Sequence, residues 1–115
     1  MQLIDNNISV LDLRNLASHM FGNLVKAVVD IKNKKIAIDA ELHADLEAYL
    51  LDQGSDQQDL WGINLHPDNY QSENFVEFDS MINIRPNQNN PSRSVLDPKI
   101  QNQIRLIVQA KVQSN

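Results

Sequence analysis

The chain has 115 residues, 42% of them hydrophobic, and a formal net charge of -5; that suits one α+β domain able to bury roughly two-thirds of its unfolded surface without a metal or disulfide staple. It contains no cysteine, so disulfides, thiolate metal sites and cysteine nucleophiles are excluded together. The first seven residues lack the basic and long apolar regions of a secretory leader, and no apolar run nears the ~20 residues of a membrane-spanning helix, so a cytoplasmic location and no membrane partner are expected.

Residues 1–8 read as a tail or a short strand. Ser9 is placed to cap a first helix, with Asp12 three residues on, and Val10, Leu13, Ala17 and Met20 fall on one helical stripe that Gly22 stops. Two Val/Ile-rich stretches follow, 24–31 and 35–40, joined by a tight turn at Lys32-Asn33-Lys34 in which Asn tolerates a positive φ. The spacing of Leu42, Leu46, Tyr49 and Leu50 predicts a helix over 41–53, ended by Gly54.

Residues 60–66 alternate, with Trp61, Ile63 and Leu65 on one face and Gly62, Asn64 and His66 on the other. Trp61 is read as core on this count. Residues 75–85 alternate again, a long strand for which a bulge or bend near Asp79-Ser80 is expected. Asp97 caps a last helix with Pro98 in its first turn and Ile100, Ile104, Ile107 and Val108 as its stripe; residues 113–115 are expected to fray. The predicted order is α-β-β-α-β-β-α: two hairpins joined in a four-stranded, mainly antiparallel sheet, with three helices on one face.

Three segments are distinctive: Glu41-Leu42-His43-Ala44-Asp45, Leu60-Trp61-Gly62-Ile63-Asn64-Leu65, and Glu77-Phe78-Asp79-Ser80-Met81-Ile82-Asn83-Ile84-Arg85-Pro86. They resemble the signature segments of a small prokaryotic protein family of unknown function, over about Val10 to Val112. The resemblance implies a self-contained domain and brings no activity or cofactor with it.

Charge is unevenly spread. Asp39 to Asp79 holds eleven acidic residues and no Lys or Arg, whereas Arg85 to Asn115 holds five basic residues against the single acid Asp97. The plain reading is a solvated acidic face; the sharper one sets the acidic middle of one molecule against the basic tail of another, as in a homodimer. Nucleic acid is disfavoured, because phosphate contacts need Lys and Arg.

The strongest candidate site is the polar face of the second hairpin. Pairing in which partner numbers sum to 141 sets Asn64 opposite Glu77 and Gly62 opposite Asp79, with Asn83 and Arg85 further along that face and open space at Gly62. Arg85 and Arg93 flank an amide-rich loop before the last helix, a setting for an anion. Asn64, Glu77, Asp79, Asn83, Arg85 and Arg93 are therefore the candidate ligand-binding residues, weighed against an ordinary solvated sheet face.

Glu41, His43 and Asp45 have ligand-type side chains, but on a helix His43 points away from the two carboxylates, so no metal is expected there and no cofactor is called for. A binding or regulatory domain for a small polar or anionic ligand, or for a protein partner, is the favoured function. The alternative is a small hydrolase or nuclease-like enzyme acting on a phosphoryl or acyl group, with Glu77 or His43 as acid or base and an arginine stabilising charge.

Overall fold

The computed structural model describes residues 1–114. Its strands are β1 (Gln2–Leu3), β2 (Ile8–Ser9), β3 (Val25–Asp30), β4 (Lys35–Ile38), β5 (Leu60–Leu65), β6 (Val76–Glu77) and β7 (Val112–Gln113). The helices are α1 (Val10–Ser18), α2 (His43–Asp52) and α3 (Pro98–Lys111). Five strands form one antiparallel sheet in the order β1-β4-β3-β5-β6.

The expected sheet of four thus gains a strand from the N-terminus, where Gln2 and Leu3 lie opposite Ile38 and Ala37. A second addition is β2 against β7, a parallel pair that ties Ile8 to Val112 and Ser9 to Gln113. Gln113 was expected to fray; pairing gives its backbone partners instead. Among the described residues no helix is long and apolar enough to cross a membrane.

The capping signals act as read. Ser9 Oγ accepts from the Asp12 amide at 3.0 Å, and Asp97 Oδ1 accepts from the Lys99 amide at 2.8 Å. Gly22 and Gly54 take φ of 89° and 99°, the left-handed conformation that ends each preceding helix. In the β3–β4 turn the positive φ falls on Lys34, not on Asn33. Asn33 instead binds the buried Asp30, through its backbone N–H at 2.9 Å and its side-chain amide at 2.9 Å. Burial alone would raise the Asp30 pKa, but bonds from Ser55, Asn33 and Lys32 outweigh it and hold the carboxyl below its ordinary range.

Helices cover both faces of the sheet, which corrects the one-sided arrangement. Val10, Leu13 and Ala17 of α1 and Ile104, Ile107 and Val108 of α3 pack with Trp61, Ile63 and Leu65 in the larger core. On the opposite face, Leu46 and Leu50 of α2 pack with Val28, Ala37 and Leu60. Helix α2 also turns differently from its expected stripe. Leu42 is 56% exposed and just outside the helix, while His43 is buried in its place. The inward spacing is 43, 46 and 50.

The long strand over 75–85 does not form. The register is the expected one, Asn64 opposite Glu77 and Leu65 opposite Val76, but pairing stops there. At Asp79–Ser80 the chain bends into a short 3-10 turn, Met81–Asn83, which Ser80 caps by accepting from the Ile82 amide. Phe78 therefore packs on the larger core and Ile82 on the smaller one.

Beyond the bend a side chain does the work of a strand. Asn83 is fully buried; its Oδ1 accepts from the Gly62 amide at 2.8 Å and its Nδ2 donates to the Gly62 carbonyl at 2.9 Å. The groups that β5 would offer its next neighbour are thereby satisfied. Gly62 is needed for this approach: a Cβ there would lie 2.5 Å from Ser80 Cβ. The open space expected beside Gly62 is filled by Ser80.

Candidate functional site

The covered part of the second face stops short of one end of the sheet. There Lys26 pairs in register with Asn64, and Asn64 with Glu77, so three polar residues form a row across β3, β5 and β6. The start of α2 stands over one side of this row and the bend at Asp79–Ser80 over the other. Between them lies a cleft of about 390 Å³, small on the scale of ligand pockets.

Lys26, His43, Asn64, Asp79 and Arg93 supply its polar lining. Its rim is apolar: Phe21, Leu42 and Met81 are 40%, 56% and 66% exposed, and all three border this one cleft. Exposed apolar side chains gathered around charged groups are a familiar mark of a binding groove.

Asn64 is only 6% exposed. Its Nδ2 donates to Glu77 Oε1 at 2.9 Å and to the Asp79 carbonyl at 3.3 Å, which fixes the amide's orientation. Its Oδ1 is buried with no hydrogen-bond partner, a condition that costs about 1–3 kcal/mol. Across the register, Lys26 pairs with no carboxylate among the described residues. Its ammonium lies 4.9 Å over the Phe21 ring.

His43 opens α2, and Leu42 before it gives no side-chain cap; the Asp45 and Leu46 amides turn back to the Leu42 carbonyl, so the amides of His43 and Ala44 are the ones left without a partner. The His43 Nε2 lies 2.8 Å from the Ile63 carbonyl. A carbonyl only accepts, so Nε2 carries the hydrogen and Nδ1 of the neutral ring is left as an acceptor. Burial lowers the His43 pKa, and Lys26 and Arg93 push the same way; the Ile63 bond and Asp79 oppose them. The ring is therefore neutral at pH 7.

Of the six sequence candidates, three line the cleft: Asn64, Asp79 and Arg93. Arg93 Nε donates to Asp79 Oδ1 at 2.7 Å, and the Arg93 carbonyl is held by the Ser80 amide and by Asn83 Nδ2. Glu77 sits one step outside and accepts from Asn64 and from His66 Nε2 at 3.1 Å; these two bonds hold its carboxyl below the ordinary range.

Asn83 and Arg85 lie elsewhere, because the strand that was to carry them onto the polar face ends at Glu77. Arg85 is buried, with its guanidinium carbon 4.1 Å from the Trp61 ring centroid. Its terminal nitrogens donate to the Gln57 carbonyl at 2.6 Å, the Leu60 carbonyl and Gln88 Oε1 at 3.2 Å, while Nε is buried without a partner. Backbone bonds to Asn90 at 2.7 and 3.0 Å close the loop after it. The guanidinium fork thus clamps the chain's own loops, away from the cleft.

Lys26 was not singled out from sequence, and His43 was named only as acid or base of the enzyme alternative. Lys26 had a signal, as the lone cation inside the strand Val25–Asp30. The inward turn of His43 had none, since a helical stripe shifted by one residue exchanges it for Leu42.

The fold and cleft define a small α+β protein with a five-stranded antiparallel sheet covered on both faces and a polar cleft at one end of one face. Residues 2–111 match the family described as "Protein of unknown function (DUF5674)". The chain belongs to that family. No curated protein and no solved structure matches it.

Proposed function

We propose that this chain is a small binding domain that holds an anionic ligand with an apolar portion in the cleft between the start of α2 and the Asp79–Ile82 turn. One observation carries the reading: Lys26, without a carboxylate partner, stands in register with the buried Asn64, whose Oδ1 has no donor. A cation and an orphaned acceptor at one spot leave two needs that a single ligand can meet. The uncapped start of α2 adds its dipole and free amides to the same spot. Arg93, already bound to Asp79, serves as the cleft wall. Arg85 and Asn83 have no part in binding on this reading.

The test is a melting-temperature series with octanoate and inorganic phosphate, on wild type and on Lys26→Met. Octanoate is expected to raise Tm and phosphate to raise it less, for want of an apolar part. The variant should keep its own Tm and lose the response. A wild-type Tm indifferent to both anions would sink the proposal.

His43 supports a second reading, the small hydrolase or nuclease-like enzyme. Its Nε2 is anchored by Ile63 and burial keeps it neutral, so Nδ1 could take a proton from water while Lys26 meets the negative charge that develops. Turnover of 4-nitrophenyl acetate or bis(4-nitrophenyl) phosphate that His43→Gln abolishes would put the enzyme first. Turnover that the substitution leaves unchanged would remove His43 from it.

A further inference from the structure

Resting on the binding reading above, we infer that the ligand is an N-acylated apolar amino acid with a free carboxylate, the chemistry found at the C-terminus of a peptide. Four features of the cleft specify its parts. The carboxylate is set by Lys26, the cation without a carboxylate partner, together with the unengaged amides at the start of α2. The side chain is set by the rim, where Phe21, Leu42 and Met81 expose apolar surface toward the same space.

The third part is a donor. Asn64 is more than nine-tenths buried, lines the cleft and has an Oδ1 with no partner. His43, equally buried, has its Nε2 committed to Ile63 and presents Nδ1 as an acceptor. Both free acceptors are neutral, so they suit the N–H of an amide better than a full ammonium charge. Because Lys26 and Asn64 are cross-strand partners, a carboxylate held by the first brings its next substituent over the second.

The fourth feature is net charge. Two cations and one carboxylate, Lys26 and Arg93 against Asp79, leave the lining one positive charge. An N-acyl amino acid carries one negative charge and balances it; a free amino acid is a neutral zwitterion and does not. Volume agrees, because about 390 Å³ accepts one residue with its acyl group and little more.

The experiment follows the His43 ring resonances and Tm of the full chain during titration with four compounds. These are N-acetyl-L-leucine, L-leucine, N-acetyl-L-leucinamide and 4-methylpentanoate, which keeps the carboxylate and side chain but has no N–H. N-acetyl-L-leucine should bind about tenfold tighter than 4-methylpentanoate, the worth of one hydrogen bond to a buried acceptor. L-leucine should bind more weakly than N-acetyl-L-leucine, and the carboxamide should not move the resonances.

In the same protein Lys26→Met should lose all binding with little change in Tm. Equal affinity for N-acetyl-L-leucine and 4-methylpentanoate would overturn this inference and leave the anion-binding reading standing; silence from every compound would overturn both. An acetylated tetrapeptide ending in leucine separates the sources. Binding as tight as that of N-acetyl-L-leucine identifies a peptide end, and exclusion identifies a free N-acyl amino acid.

Discussion

Two buried asparagines flank β5, Asn64 from within the strand and Asn83 from the turn beside it, and they differ in one respect that matters. Asn83 uses its whole amide: Oδ1 accepts from Gly62, and Nδ2 donates to Gly62 and to Arg93 at 2.8–3.0 Å. Asn64 uses half of its amide, donating to Glu77 and Asp79 while Oδ1 has no donor. A fully satisfied buried amide is part of the architecture, since its bonds replace a missing stretch of strand ladder. A half-satisfied one at the lip of a cleft is a place for something else to bind. The same contrast separates two cations. Arg85 spends both terminal nitrogens on the chain's own carbonyls and on Gln88 and lies on a tryptophan face, leaving a buried Nε without a partner inside the packed interior; Lys26 has a ring beneath it and, among the described residues, no carboxylate partner.

The largest expected effect follows from the saturated member. Asn83→Ala strands the Gly62 N–H and C=O in the interior, so chemical denaturation should report a loss of about 3 kcal/mol. Asn64→Ala removes bonds to a half-exposed carboxylate and one carbonyl and takes away an orphan, so its loss should stay below about 1 kcal/mol. Equal losses from the two substitutions would erase the distinction. Arg85→Lys comes next. Lys cannot hold two carbonyls in a planar fork or cover the Trp61 face in the same way, so a loss of about 2 kcal/mol is expected, with anion binding unchanged. If Arg85→Lys keeps its stability and loses anion binding, Arg85 belongs to the site after all.

Much of the frame was legible because it is local. Ser9 and Asp97 cap the helices they were assigned to, and the odd register sum pairs Asn64 with Glu77. The errors have non-local causes. Residues 78–85 alternate as a strand does, yet Ser80 bends the chain so that Asn83, three residues later, reaches Gly62 with its side chain. Nothing in the alternation of the segment distinguishes an amide that faces solvent from one that replaces a strand. Likewise Leu42 and His43 differ by about 100° on a helix, and hydrophobicity alone chooses Leu42; the bond to the Ile63 carbonyl is what makes the histidine face inward. Of the residues that line the cleft, Asn64, Asp79 and Arg93 were among the sequence candidates for binding and His43 was named only for the enzyme alternative; Lys26 was not singled out, since only the register of β3 on β5 brings it beside Asn64.

The smallest effect tests His43 along the pH axis. Its folded pKa is lowered, first by burial and then by Lys26 and Arg93 against the opposing Ile63 bond and Asp79. An unfolded histidine takes its proton near pH 6.5, so below that the unfolded state binds a proton the folded one resists. Stability is then complete above about pH 6.5 and falls as pH drops toward the folded pKa. Asp30 and Glu77 have lowered pKa values too, and their contributions are lost only as pH falls below the ordinary carboxylate range of about 4, outside the interval from pH 7 to pH 5 in which His43 is tested. His43→Gln keeps an N–H for the Ile63 carbonyl and has nothing to titrate. Denaturation midpoints taken from pH 7 to pH 5 should therefore decline for wild type and stay level for the variant. A decline of the same slope in His43→Gln would mean that His43 is not the group resisting the proton, and with it would go the neutral acceptor on which the donor half of the ligand depends.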